Sequence, residues 1–461
     1  MIRFVQFAAS VSVLTLAGCA NLAPVYDQPT APVPASFEGG LPAASASLTW
    51  QDMVTSPELS SLIDAALENN RDLQAAAANT RIARARLNVS RAARLPVLTG
   101  SASTTASDDL SGNDAVGAAS YFNNSSAQLG VASWELDFFG KIQNQVEAAN
   151  QSYLSTASAE HAARISVAAS VAETWMQLAA DQQLLELALE TEKSQSESLY
   201  LTQELFEVGT ANELDARRAS ASVESARAQA AQFKALVRQD LNTLRLLVGS
   251  DLPVGIETLA AANPLPVETQ LATGTSSEIL LARPDIIAAE YQLLAANANI
   301  GAARAAFFPS ISLTGSAGAV SGDLGDLFTN AGATGWSFGP SVSLPIFDAG
   351  ARRGNLRVTE AQMDLALAQY EGAIQSAFRE ASDAIAVGAT IDDRVQALEQ
   401  FVEDTGTTLS LSNERFRLGA DSYLSVLDAQ RESFTGRQAL IQARLDKGLN
   451  TAGLYRAVGV N

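Results

Sequence analysis

Four short segments of the chain alternate between apolar and polar residues with a period of two. They run from Leu98 to Ser107, from Ala127 to Phe138, from Ile311 to Ala319 and from Trp336 to Ile346. This alternation predicts β-strands with one polar face, and about 10 residues is the length of a tilted strand that crosses a membrane. In the second segment the apolar positions change phase, which predicts a bulge near Ala132.

Four strands are too few to close a barrel. Membrane barrels have at least about 8 strands and tolerate no edge exposed to lipid. If these segments span a membrane, the chain is therefore predicted to associate with further copies of itself. The alternative is a soluble pair of hairpins on a helical protein.

Very long helices are predicted after each pair of strands. Gly209 is the only glycine between Lys141 and Val248, and no proline occurs between Pro96 and Pro253. The glycine divides this run into helices of about 65 and 35 residues, and the first would be about 100 Å long. Apolar residues recur at spacings of three, four and seven, which is typical of a coiled-coil seam. The seam positions are Val167, Val171, Trp175, Leu178, Leu185, Leu189 and Leu199, and in the last helix Leu424, Leu427, Phe434, Ile441, Leu445, Leu449, Ala452 and Tyr455.

The two halves of the chain repeat one another at an offset of about 210 residues, which is the size of a domain rather than of a solenoid repeat. Each half reads as helix, strand, strand, long helix, turn and long helix. The repeats are predicted at 57–250 and 277–461, joined by a Pro-rich linker at 251–276. The matched segments are Asn70-Arg71-Asp72 with Arg283-Pro284-Asp285, Arg94-Leu95-Pro96 with Phe307-Phe308-Pro309, Asp137-Phe138-Phe139-Gly140 with Asp348-Ala349-Gly350, and Phe206-Glu207-Val208-Gly209 with Phe416-Arg417-Leu418-Gly419.

The N-terminus has the features of a bacterial lipoprotein signal. A basic residue and a short apolar run lead to Leu16-Ala17-Gly18-Cys19, which resembles the lipobox, and Cys19 is the only cysteine of the chain. Residues 1–18 are thus predicted to be a signal peptide, Cys19 to carry the covalent lipid, and 19–56 to be a Pro-rich strap. Ala20 favours the outer membrane. The alternative is an ordinary secretory signal with a chance cysteine.

Composition narrows the possible chemistry. The chain has 30 basic and 50 acidic residues and a net charge of -20, which argues against a nucleic-acid partner. A single histidine, His161, and a single cysteine leave no metal site of the His/Cys type. Neither a catalytic constellation nor a phosphate-binding loop is found, so we expect no catalytic residue, no ATP use and no cofactor beyond the lipid. A run of basic residues is predicted to pair with carboxylates on neighbouring helices: Arg81, Arg84, Arg86, Arg91 and Arg94. The alternative is a polyanion site.

Three segments and the duplicated order of elements resemble the TolC-like outer membrane factor family, and in particular its OprM/NodT-type lipoproteins. The segments are the lipobox, Ala282-Arg283-Pro284-Asp285-Ile286 with the stretch from Gly301 to Pro309, and the stretch from Arg415 to Arg431. The resemblance implies a mainly α protein with a transmembrane β-barrel, namely a trimeric 12-strand barrel with four strands per chain on a long α-helical periplasmic tunnel. It also implies a passive exit channel of a tripartite efflux or export system. The partners would be a periplasmic adaptor (membrane fusion) protein and an inner-membrane pump such as an RND transporter.

Two glycines are predicted to form the tips of the helical hairpins. Gly209 and Gly419 are each flanked by helix and suit a left-handed turn. In the family such tips meet the adaptor, so the predicted adaptor contacts are Val208, Gly209, Thr210, Leu418, Gly419 and Ala420. The alternative is that they are merely turns.

The family also places its closing constriction beside the second tip. Asp421 matches this segment, with Leu418 as an apolar constriction, so these residues are the predicted gate. The alternative for Asp421 is a helix cap, because an Asp at a helix start suits both roles.

Two other classes of protein share some of these features. A periplasmic adaptor lipoprotein has a lipobox and a helical hairpin, but it would have one hairpin and soluble β-domains instead of two matched hairpins and strand pairs. A structural coiled-coil lipoprotein would not need alternating membrane strands. The exit channel is therefore the favoured function.

Overall fold

The computed structural model describes residues 21–37, 49–108, 121–210, 212–267, 276–322, 325–329 and 333–458. Cys19 and the rest of the lipobox lie outside these residues. The chain divides into two compact units. The first comprises Met1–Pro29, Thr80–Thr156 and Ala289–Tyr370, and the second comprises Thr30–Asn79, Ala157–Ala288 and Glu371–Asn461. Within the described residues, none of the helices combines the length and the hydropathy needed to cross a membrane.

The order of elements is the same in both halves of the chain. In the first half the elements are α1 (Pro57–Asn69), α2 (Arg71–Ala92), β1 (Leu98–Asp108), β2 (Tyr121–Leu136), α3 (Lys141–Glu207) and α4 (Glu213–Val248). After α5 (Ile256–Ala262), the second half has α6 (Pro284–Ala305), β3 (Ser310–Ser321), β4 (Ala333–Ser343), α7 (Ala351–Arg417) and α8 (Tyr423–Val458). Short helical turns lie at Trp50–Met53, Ser277–Ala282 and Gly325–Phe328. The two helices predicted on either side of Gly209 are thus confirmed as α3 and α4.

The four strands form one antiparallel sheet in the order β1-β2-β3-β4. Serine hydroxyls pair across one face, as between Ser103 and Ser126 at 3.0 Å and between Ser316 and Ser337 at 2.8 Å. The opposite face carries apolar side chains, and the side chain of Trp336 is 81% exposed in the single chain. A sheet with these two faces suits lipid on one side and water on the other.

The predicted bulge in β2 is confirmed. The register with β3 shifts between Val131 and Trp134, so that Val131 lies opposite Gly315 and Trp134 opposite Leu313. The extra residue moves the apolar phase of β2 from odd to even positions. Trp134 therefore stays on the apolar face beside Leu313, which an unbulged strand could not achieve.

The predicted end of β4 is wrong. Leu344 and Ile346 were expected in the strand, but β4 ends at Ser343. Pro345 has no backbone N–H to donate to a ladder, and the chain turns towards α7 only at Ala349 and Gly350.

A large apolar core holds the second unit together. Its centre includes Trp175 and Leu178, which are fully buried, and Tyr455, which is 1% exposed. The seam prediction is confirmed for these positions, whereas Leu189 and Leu424 remain exposed in the single chain. A seam read from one chain cannot distinguish contacts within the chain from those with another copy.

The two proline-containing segments of the second unit pair with each other. Isolated bridges join Ser36 to Ser276 and Val54 to Val267, and the rings of Phe37 and Phe378 stack at 4.9 Å. The 251–276 linker is not extended throughout, because it contains α5. Gly249 ends α4 in the left-handed conformation, and a Cβ there would lie 2.5 Å from the carbonyl oxygen of Asn69.

Arg283 is the principal buried charge of the second unit. Its guanidinium donates to both carboxylate oxygens of Asp285, at 3.0 and 2.7 Å, to Glu380 at 3.3 Å and to the carbonyl of Ala457 at 3.0 Å. Pro284 occupies the first turn of α6, where its missing N–H costs nothing. One side chain thereby ties the start of α6 to α7 and to the end of α8.

Replacement of Arg283 is expected to destabilise the protein strongly. Arg283→Ala should lower the free energy of unfolding by about 2–3 kcal/mol, somewhat less than for a fully buried pair, because both carboxylates remain partly hydrated. Arg379→Ala is the control, since the pair of Arg379 with Asp383 is exposed and should contribute about 0–1 kcal/mol. Guanidinium unfolding followed by circular dichroism would measure both. Equal losses for the two variants would contradict this assignment.

Candidate functional site

The two hairpin tips have the same backbone geometry. Gly209 has φ of 79° and Gly419 has φ of 74°, both in the left-handed region. In the first tip the N–H of Gly209 donates to Phe206 O at 3.0 Å, and the N–H of Thr210 donates to Leu205 O at 2.9 Å. This pair of hydrogen bonds is the Schellman motif, which satisfies the last carbonyls of a helix. The left-handed turns predicted from the sequence are thus confirmed.

The second tip has the same two backbone hydrogen bonds. Gly419 donates to Phe416 O at 2.9 Å, and Ala420 donates to Arg415 O at 2.8 Å. A Cβ at Gly419 would have no atom within 4 Å, so there is room for a larger side chain. Glycine is favoured there because of its left-handed backbone conformation.

Both tips present their predicted contact residues to solvent. Val208 is 71% exposed and Leu418 is 84% exposed, and the glycines and the residues that follow them are exposed as well. Exposed apolar side chains at a helix turn contribute nothing to the core of the chain. Their use as adaptor contacts stays a prediction.

A small apolar cluster joins the two hairpins near their tips. It contains Ala219 of α4 and Tyr423, Val426 and Leu427 of α8, with Phe416 of α7 packed against it. The rings of Phe416 and Tyr423 lie 5.8 Å apart. The two tips therefore lie at the same end of the second unit and can meet one partner together.

The predicted gate residue Asp421 forms an ion pair across the second tip. Its carboxylate accepts hydrogen bonds from Arg415 Nε at 2.6 Å and from Arg415 Nη2 at 3.0 Å. These hydrogen bonds and the positive charge lower the pKa of the Asp421 carboxyl. This pair was missed by both sequence interpretations, although the i, i+6 spacing across a Schellman turn could have indicated it. The role of Asp421 in gating stays a prediction.

The basic run does not pair as expected. Within the described residues, none of its five arginines has a carboxylate oxygen within 4.0 Å, and all five are exposed. The predicted pairing is therefore not found among the described residues of this chain. Pairing with helices of another copy stays a prediction.

A pair of carboxyl groups inside the second unit was not anticipated. Asp181 of α3 is buried, and burial together with the hydrogen bond to Asp181 raises the pKa of Asp240 on α4 to about 7. Gln177 donates to Asp181 at 3.0 Å. The two carboxyls thus lie close together between α3 and α4. In the described part of the chain no group of three or more potential ligands could hold a metal ion.

The sequence model of the outer membrane efflux protein family matches residues 62–250 and 275–460. The chain belongs to this family. It is 42% identical to the solvent efflux pump outer membrane protein SrpC of Pseudomonas putida, over 97% of this chain and 96% of that protein. It is 38% identical to the outer membrane protein OprJ of Pseudomonas aeruginosa, over 98% of this chain and 95% of that protein.

Solved structures agree with the family assignment. The open outer membrane channel MtrE of Neisseria gonorrhoeae superposes with a TM-score of 0.84 at 34% identity, covering 96% of this chain and 98% of that one. The membrane channel CusC gives the same score and identity, covering 96% and 100%.

The fold and the general function follow from these similarities. The predicted fold class is confirmed, namely a mainly α chain with four strands that belongs to a trimeric β-barrel on a long α-helical tunnel. The chain is the outer-membrane channel component of an efflux system, and the adaptor and coiled-coil alternatives are set aside. Its relatives are channels rather than enzymes.

Proposed function

We propose that this chain forms a homotrimeric exit duct that receives substrates from a periplasmic adaptor and an inner-membrane pump and conducts them outwards without chemistry. The observation that carries the proposal is the pair of matched Schellman tips at one end of the second unit. A trimer presents six such tips, which suits docking to a ring of adaptor hairpins. Energy would come from the pump, because neither a nucleotide loop nor a catalytic constellation is found in the sequence.

The same tips support a specific docking surface. Each tip is a rigid turn with one exposed apolar side chain, Val208 or Leu418, immediately before its glycine. Small residues follow each glycine, so a partner helix can approach the backbone closely. The adaptor would therefore contact 208–210 and 418–420.

Substitution of the tip glycine tests the duct and its docking surface. Gly419→Val places a β-branched residue at positive φ, at a cost of about 1–3 kcal/mol confined to the turn, and should abolish efflux. The assay is complementation of an efflux-deficient host carrying the cognate adaptor and pump, with toluene and antibiotics as probes, alongside trimer abundance in the membrane.

The control for this experiment is Gly406→Val, which lies within α7 with open space around its Cα. It should leave efflux near the wild-type level. Normal efflux by Gly419→Val at normal abundance would count against docking through the tip. Failure of the wild-type chain to complement would count against the duct itself.

A lipid anchor on Cys19 is the second part of the proposal, supported by the position of the only cysteine. Cys19→Ser should abolish acylation and delay signal processing but leave some trimer, since a barrel is a far stronger anchor than acyl chains. Mass spectrometry and lipid labelling of the membrane fraction are the measurements. An unchanged lipidated mass in the variant would refute the anchor.

A gate at the second tip is the third part. Three copies of Asp421 and Leu418 near the trimer axis would narrow the entrance, with each Asp421 partly neutralised by Arg415. Asp421→Asn removes three negative charges and frees three arginines, so cation selectivity and block by multivalent cations from the tip side should both fall.

Reversal potentials in a salt gradient measure this change. Glu414→Gln is a matched control, since Glu414 is an exposed carboxylate one residue before Arg415 and forms no ion pair in the described structure. Selectivity and block identical to wild type in Asp421→Asn would leave Asp421 as a structural residue. An equal change in both variants would point to the overall charge of the tip.

A further inference from the structure

Two helices beside the sheet carry exposed arginines that have no carboxylate partner among the residues the structure describes. In addition to the run on and just after α2, Arg353 and Arg357 in the first two turns of α7 are exposed and form no ion pair among the described residues. All lie in the first compact unit. On a chain with a net charge of -20, such a concentration of unpaired positive charge calls for an external anion.

These arginines lie where the sheet meets the helices. The ends of β1 to β4 that adjoin helices lie along one border of the sheet, its helical edge, because Leu136 pairs with Ile311 and Ser310 pairs with Ser343. This edge is formed by strand ends and not by an unpaired outer strand. Arg94 is four residues before the first residue of β1, and its carbonyl accepts a hydrogen bond from the indole of Trp134 at 3.2 Å. An indole at the end of an apolar strand is typical of the membrane interface.

The carboxylates nearest this edge are already occupied. Glu135 pairs with Lys141 at 3.0 Å, and Asp348 pairs with Arg352 at 2.6 Å. Asp137 accepts the backbone N–H of Gln143 at 2.6 Å. Glu135 and Asp348 are therefore neutralised by cations of their own, whereas Arg91, Arg94, Arg353 and Arg357 have no carboxylate partner among the described residues.

Barrel closure concentrates these charges further. The outer strands of the sheet are β1 and β4, so a closed barrel of several copies pairs β4 of one copy with β1 of the next. Arg91 and Arg94 precede β1, and Arg353 and Arg357 follow β4. Each boundary between subunits thus gathers four arginines, whose mutual repulsion a bound anion would relieve.

We propose that each subunit boundary binds the phosphate headgroup of an anionic phospholipid through Arg91, Arg94, Arg353 and Arg357. The proposal rests on the trimeric barrel described under the proposed function. A headgroup layer is about 5–7 Å deep on each side of the bilayer, within the reach of arginines adjoining the strands. Bidentate guanidinium contacts favour phosphate, and basic residues beside a membrane span attract anionic lipid.

The chain supplies an internal control for depth. Arg84 precedes Arg91 by seven residues of α2, or about 10 Å along the helix, and Arg81 lies farther still. These two arginines should therefore lie beyond the headgroup layer, on the side away from the bilayer core. Like Arg91, they are positively charged, lie on α2 and are exposed, but they should not bind lipid.

Native mass spectrometry of the full-length trimer tests the proposal. Trimer in detergent is incubated with equal amounts of phosphatidylglycerol and phosphatidylcholine. Wild type should retain phosphatidylglycerol preferentially, and Arg91→Gln with Arg353→Gln should reduce that preference by roughly fivefold for each arginine removed. Arg81→Gln with Arg84→Gln should behave as wild type, and Arg91→Lys with Arg353→Lys should restore most of the preference.

Each other outcome would overturn the inference in a recognisable way. Equal retention of the two lipids by wild type, or equal loss in both double Gln variants, would remove the site. Loss of the trimer in Arg91→Gln with Arg353→Gln would assign the arginines to carboxylates of a neighbouring subunit. Displacement of the lipid by inorganic phosphate would assign them to a free anion, whereas a wild-type protein that is not trimeric would refute the duct rather than the lipid site.

Discussion

The constraint on which the structure depends is that every backbone N–H and C=O inside a bilayer must be hydrogen-bonded. A four-stranded sheet satisfies this requirement at its two inner strands but leaves one edge of β1 and one edge of β4 unpaired. The same sheet in another copy is a partner of the right length and pattern. Oligomerisation is therefore a condition for membrane insertion, and the trimeric fold of the family meets it.

The second compact unit carries the two hairpin tips. Long helices in both halves end in identical Schellman turns, and the cluster around Tyr423 keeps the two tips at one end of the second unit. Arg283 adds hydrogen bonds between the start of α6, α7 and α8 to the apolar core of the second unit. Duplication thus yields two equivalent tips per chain, although only the second tip carries the Arg415–Asp421 pair.

Features governed by local sequence were predictable. The strand alternation, the bulge near Ala132 and the tip glycines each follow from a periodicity or from a backbone conformation that favours one residue type. Features governed by tertiary contacts were not: the Asp181–Asp240 pair joins residues 59 positions apart, and the unpaired arginines depend on where carboxylates happen to fall. Leu189 and Leu424 fit the seam pattern but are exposed, because periodicity does not identify the partner that covers a residue.

Disulfide trapping between β1 and β4 tests the central claim most directly. Within one chain these strands are separated by three interstrand spacings, about 14 Å, which exceeds the reach of a disulfide. In a closed barrel they adjoin between copies. In a Cys19→Ser background, Ser337→Cys should be combined in turn with Ser101→Cys, Ser103→Cys and Thr105→Cys, and the oxidised membranes analysed by denaturing electrophoresis. At least one combination should give covalent dimers and trimers, whereas monomers alone in every combination would contradict closure of the barrel by three copies of this chain.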